Sequence, residues 1–453
     1  MDFTGWIGVG REDITPPVGI YARNWGAATH DVAEGIHRPL NVTAVSLQSR
    51  PGDTSYLLVA ADAGWWRTAE DEQFVRNGVL SALQVAPHQM MICLSHTHAG
   101  PSLCREDVDK PGGHLIPAYL EKFREAITTA SRQALASAQQ ATLSWGKGTC
   151  HLATNRDLPD PSGTRYLCGY NAALPAESQV SVGRITSQAG RPLATLVHYA
   201  CHPTTLAWQN RLISPDYIGA LREVVEAHTQ NAPCLYLHGA SGELAPRYQY
   251  TPDTSVPDSH GRQLGYTVLA TLEGMLPPNS RLLYSGFVES GAPLAIWNHI
   301  PQAASSHLSG IVQEVELPLQ PLPSLSELEA QIARCPDRAL QERLVRKRRI
   351  RKSIGDGDTA NIPLWVWRIG DSFLVGQPNE AYSWLQTELR QRFPDNPVLV
   401  MNVVNGHFGY LPPESFYNRD IYPVWQTPFG PGSLERTLGA SILAIEQLLE
   451  SAP

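Results

Sequence analysis

The chain has 453 residues, with 35 Lys+Arg against 43 Asp+Glu for a formal net charge of −8, and 42% of it is hydrophobic. That apolar fraction, with 36 glycines on no fixed period, excludes a disordered or collagen-like chain. The negative balance argues against nucleic acid as a partner. No run approaches the ~20 apolar residues that span a bilayer, so no transmembrane segment is expected.

In chain order, 41–47 and 56–61 read as strands, the second a continuous apolar run of the kind covered on both faces. Thr68, with Asp71 three residues on, opens a helix whose apolar positions keep the 3.6 period through Leu83. A strand at 90–94 precedes a helix at about 118–138, and strands at 179–185 and 193–199 flank a turn at Gly190. Helices at 218–228 and 261–275 follow, then strand-like runs at 282–288 and 310–317 and a charged helical stretch at 324–353. Strands at 364–369 and 372–375, a helix at 382–393, a strand at 398–404 and a last helix at 433–449 complete the chain. This alternation predicts an α/β fold, and the hairpins require mixed sheets flanked by helices. With no internal repeat and no low-complexity linker, 1–453 is expected to form a single large catalytic domain. The N-terminus lacks the basic and apolar regions of a signal peptide, and the seven cysteines are scattered without a Cys-x-x-Cys pair. A reduced, cytoplasmic chain is therefore expected, with cysteines as small core residues.

Four apolar strands end in polar turns marked by glycine or proline. His96 and His98 stand two residues apart after the strand at 90–94, so they share a face. Strand ends are where α/β sites form, and this pair suits a metal or a ligand with its base. Pro203 forces His202 toward extended backbone after the strand at 193–199, while His198 and Cys201 read as core. Glu380 follows the strand at 372–375 and by itself reads as a helix N-terminal charge. His407 and Tyr410 lie in a glycine-bracketed turn after the strand at 398–404. Together these turns offer two imidazoles, a carboxylate and a phenol, a shell for zinc with room for water. Trp65 and Trp66, just after Asp62, suit either a pocket mouth or aromatic packing. The basic run at 343–352 reads as a solvated helix face, with Leu340, Leu344 and Val345 as its buried stripe.

The segment Leu94-Ser95-His96-Thr97-His98-Ala99-Gly100-Pro101 resembles the Thr-His-Thr-His-Ser-Gly-Pro motif of the neutral ceramidase family (neutral/alkaline, non-lysosomal). Gly8 to Thr15 resembles that family's Gly-x-x-x-x-Asp-Ile-Thr start, Gly35-Ile36-His37 its Gly-x-His, and His202-Pro203-Thr204 its His-Pro-Thr. Leu212-Ile213-Ser214-Pro215-Asp216-Tyr217-Ile218-Gly219 and the stretch from Gly409 to Pro431 continue the match in order. The resemblance implies a zinc amidase that splits an N-acyl bond of a lipid or small-molecule amide. It implies His96, His202, Glu380 and Tyr410 as metal ligands, His98 as acid/base partner, and two further catalytic residues, Arg156 near the scissile carbonyl and Tyr422 facing the substrate. His37, Asp62 and Trp65 are the expected substrate-binding residues. Two departures stand out. Gly242-Glu243-Leu244-Ala245-Pro246 replaces the family's Gly-Asp-Val-Ser-Pro, so no serine nucleophile exists at that position. The chain also stops where secreted ceramidases continue into an immunoglobulin-like domain, so none is expected here. A zinc esterase or lactonase, or a binding protein on the same fold, are the competing expectations.

Overall fold

The strand Tyr56–Ala61 is buried at every residue because hydrophobic layers lie on both its faces. Alternate side chains divide accordingly. Leu57, Val59 and Ala61 pack with Val79, Phe123 and Ile127 of the helices Ala69–Leu83 and Ile116–Ala136. Tyr56, Leu58 and Ala60 turn the other way, toward Trp365, Trp367, Leu374 and Met401 of a second sheet. The molecule, a computed structural model describing residues 2–450, is thus layered helix, sheet, sheet, helix.

The first sheet has eight strands in the spatial order Cys234–His238, Pro192–Tyr199, Gln179–Ser187, Gln139–Thr149, Phe3–Asp13, Asn41–Gln48, Tyr56–Ala61 and Met90–Leu94. The outermost pair at each end is parallel and the rest are antiparallel. The second sheet runs Leu308–Pro318, Thr359–Ile369, Ser372–Gly376 and Val398–Met401, with only the last pair parallel. Mixed sheets flanked by helices are therefore what the pattern predicted. The two end strands of the first sheet approach each other, and isolated bridges Cys93–Val404 and Gly239–Met401 join its rim to the second sheet. That convergence gathers strand ends from distant parts of the sequence. All seven cysteines are free, and no described helix is long and apolar enough to cross a membrane.

Several expectations change. Phe3–Asp13 is a strand although its sequence is glycine-rich. Gly8 and Gly10 face the helix Ile116–Ala136 so closely that a Cβ would lie 1.9 Å and 2.2 Å from the carbonyls of Ala134 and Ala130. The strand expected at 398–404 stops at Met401, because Val403 and Asn405 take positive φ (55° and 51°) and turn the chain. A β-branched residue there is uncommon and strained. In the helix Arg338–Ile354, Leu340 is 48% exposed while Arg349 and Ile350 are buried, so the basic run is not a solvated face.

Asp62, expected at the substrate, instead closes a buried ion pair. Its Oδ2 and Oδ1 accept from Arg222 Nη2 and Nη1 at 2.6 and 3.1 Å, and Oδ2 also accepts from the Asn41 amide at 2.8 Å. Removing one partner of such a pair leaves an unpaired buried charge, so Asp62→Ala is expected to destabilise the fold by about 3–5 kcal/mol. Denaturant unfolding measures this. Unchanged stability together with a weakened substrate affinity would restore the substrate role.

Candidate functional site

His96 follows Met90–Leu94 by two residues and sits at φ 65°, a left-handed conformation that non-glycine residues hold only under external constraint. Its Nδ1 lies 3.3 Å from the Gly64 carbonyl, and His202 Nδ1 lies 3.1 Å from the Leu244 carbonyl. A carbonyl only accepts, so each Nδ1 carries the proton and each Nε2 is left with a lone pair. Both Nε2 atoms face Glu380 Oε2, at 3.4 Å for His96 and 2.9 Å for His202. Glu380 is positioned by a two-residue parallel ladder that sets Glu380 beside Tyr410 and Ala381 beside Leu411. His407 Nε2 donates to Glu380 Oε1 at 2.8 Å.

Burial pushes the Glu380 carboxyl up, but the adjoining imidazoles of His96, His202 and His407 outweigh it and hold Glu380 well below the usual carboxylate range. Burial, then Arg156, takes His202 down to about 4. Burial and the neighbouring Glu380 charge push the Tyr410 phenol up. The donor atoms of His96, His202 and Glu380 all lie within 4.8 Å of one another and all three residues are buried. Lone pairs facing a carboxylate oxygen, with both imidazole protons committed to backbone, form a donor set that a cation makes favourable. Backbone-fixed imidazoles of this kind are the usual support of metal ligands. The residues fit a zinc ion.

His98 borders this group, with Nε2 3.5 Å from His96 Nε2 and its ring between Trp65 (centroids 4.9 Å) and Trp25 (5.1 Å). Its buried Nδ1 has no hydrogen-bond partner among the described residues. Burial, then His96, lowers the His98 pKa well below the ordinary imidazole value, so the ring is neutral at pH 7. Arg156 Nη2 donates to the Gly242 carbonyl at 2.7 Å and to the Tyr410 hydroxyl at 3.1 Å, and lies 3.3 Å from His202 Nε2. Tyr422 packs edge-on against Tyr410, with centroids 5.6 Å apart, and accepts from Arg346 Nη1 at 3.1 Å. Together these groups border a cavity of about 390 Å3 whose walls include Trp25, Trp65, Tyr250 and Tyr422.

Of the sequence-derived candidates, His96, His98, Arg156, Glu380, Tyr410, Tyr422 and Trp65 line this cavity, and His202 lies behind it against Glu380. Trp66 packs in the core against Phe123. His37 is not part of the cavity: its Nδ1 meets Ser214 Oγ at 2.9 Å and its Nε2 lies 3.2 Å from Asp258. Ala245 is fully buried, paired with Thr154 in a short antiparallel ladder. Sequence reasoning missed His238, whose ring stands 5.4 Å from that of His96 and whose Nε2 meets Ser241 Oγ at 3.0 Å. The apolar run Leu235–Leu237 before it was the available signal. Arg346 was missed because its charge was assigned to solvent.

A family model for the neutral/alkaline non-lysosomal ceramidase N-terminal domain matches residues 6–240. No curated protein matches the chain. Among solved structures, a neutral ceramidase from Pseudomonas aeruginosa superposes with a TM-score of 0.70 at 18% identity, covering 100% of this chain and 76% of that one. A ceramidase complexed with C2 gives a TM-score of 0.67 at 16% identity over the same shares. These likenesses establish a shared fold. The family match, spanning more than half of the sequence, establishes membership: the chain belongs to the neutral/alkaline non-lysosomal ceramidase family.

Proposed function

We propose that the protein is a zinc-dependent hydrolase that cleaves an N-acyl amide bond, with His96, His202, Glu380 and Tyr410 holding the metal. The observation that carries this reading is the convergence of His96 Nε2, His202 Nε2 and a Glu380 oxygen at the wall of a cavity that His98 also lines. When bound, zinc supplies Lewis acidity toward a carbonyl and toward water. His98 takes a proton from the attacking water and returns it to the leaving amine, a role for which a neutral, partner-free nitrogen is suited. Arg156 holds Tyr410 and directs its positive charge toward the oxygen that becomes negative as the carbonyl is attacked. Tyr422, beside Tyr410, offers a second hydroxyl at the cavity wall. Trp25 and Trp65 keep His98 dry and fix its ring. With Ala245 in place of the family serine, water rather than a protein hydroxyl is the nucleophile at that position.

The test is metal removal. Chelator-stripped protein is expected to lose amide hydrolysis and to recover it on addition of one equivalent of zinc, with a matched ester assayed in parallel. Full activity in stripped protein sinks the reading. Cleavage of the ester alone assigns the site to an esterase.

A further inference from the structure

The helix Arg338–Ile354 contributes Ala339, Glu342, Arg343 and Arg346 to the cavity wall. It carries six arginines. Four have carboxylate partners within 4 Å: Arg338 with Asp31 and Glu342, Arg348 with Glu106, Arg349 with Glu106 and Asp107, and Arg351 with Asp356. Arg343 and Arg346 have none among the described residues, and they are the two that line the cavity. Arg343 lies over the Trp425 ring, 5.1 Å from its centroid, and Arg346 donates only to the neutral hydroxyl of Tyr422. Spaced i, i+3, they share one side of the helix.

The cavity's carboxylates do not neutralise them. Glu380 is engaged by three imidazoles, and Glu342 lies 2.6 Å from Arg23 and 3.5 Å from Arg338. A guanidinium has five N–H donors in a planar fork suited to an oxyanion, and desolvating one without a charge partner is unfavourable. Here two such forks open into a space that already holds the reactive groups. Arg346 is only two side chains from the metal group, through Tyr422 and Tyr410.

We infer that Arg343 and Arg346 form an anion subsite, and that the preferred substrate is an N-acyl amide whose amine portion bears a carboxylate or phosphate. A plain acyl chain offers only hydrocarbon beyond its carbonyl, so the negative charge belongs to the amine portion. The inference rests on the proposed amidase reading for the word substrate, but the binding it predicts needs no turnover.

The experiment is calorimetric titration of the zinc-loaded protein with N-lauroylglycine, N-lauroyl-2-aminoethyl phosphate and neutral N-lauroylethanolamine, with hydrolysis of the same compounds followed separately. At least one anion is expected to bind ~10–100-fold more tightly than the neutral amide, the effect of about one charge-assisted hydrogen bond. Which anion wins distinguishes an amino-acid-type from a phosphoamine-type substrate. Arg343→Gln and Arg346→Gln are each expected to reduce that ratio toward one. Arg348→Gln, which breaks only the pair with Glu106, retains it. Arg343 is exposed, so its variant decides the matter if Arg346→Gln does not fold. Equal binding of neutral and anionic amides by the wild type, or a ratio unchanged in the cavity variants, overturns the inference. Selective binding without any hydrolysis overturns the amidase reading and leaves the anion subsite standing.

Discussion

Glu380→Gln is expected to lower zinc affinity by at least ~10²-fold, beyond the ~10–100-fold typical of a lost supporting partner, and to abolish hydrolysis with it. The carboxylate is surrounded by His202, His96 and His407 at 2.9, 3.4 and 2.8 Å, and it supplies the only negative charge among them. Glutamine keeps the shape but places a neutral amide among these imidazoles, so the attraction for a cation falls while the packing is retained. The effect also appears as stability. A ligand at 100 times its Kd stabilises the native state by about 2.7 kcal/mol. Zinc-loaded wild type is therefore expected to exceed the variant in thermal stability, with the gap closing once both are stripped. Elemental analysis after dialysis, with a chelator competition titration, gives the affinity. A variant that keeps stoichiometric zinc at wild-type affinity removes Glu380 from the ligand set.

His98→Ala is expected to do the converse, keeping zinc while turnover falls by roughly 10²–10⁴-fold, the usual contribution of a positioned general acid/base. The separation of the two roles is geometric. His96 and His202 commit Nδ1 to backbone carbonyls and turn Nε2 toward Glu380, whereas His98 has no carbonyl behind its Nδ1. Its environment is aromatic, between two tryptophans, which keeps it uncharged. Zinc content and single-turnover rates of the purified variant measure both quantities. Loss of metal on this substitution would make His98 a ligand, and unaltered turnover would remove it from the proton transfer.

The sequence carried the local part of this site and not the tertiary part. His96, His98 and His202 announce themselves because each follows a strand-length apolar run, and a strand that ends in imidazole is conspicuous. Glu380 looks like a helix-terminal charge until the Glu380–Tyr410 ladder is seen, and that ladder joins segments with nothing local in common. Asp62 shows the opposite error. It stands near the tryptophans in sequence, but its charge is consumed by Arg222, 160 positions away. The strand Phe3–Asp13 was hidden because its glycines are spent on helix contact rather than on turning, a use that leaves no mark on periodicity. Arg346 was legible only as one of a run of cations. What separates it and Arg343 from the helix's other arginines is that neither has a carboxylate partner among the described residues.

The convergence of positions 96, 202, 380 and 410 also bears on the order in which the chain acquires its properties. The four side chains do not all meet until both sheets have formed and packed, and contacts of such long range close slowly because loop entropy is lost before they stabilise anything. The complete site is thus expected to be among the last parts to form during folding. Interactions absent from the folding transition state act on the unfolding rate and leave the folding rate nearly unchanged. A metal held by these residues acts as a lock fitted after assembly. Metal loading is therefore expected to slow unfolding more than it speeds folding.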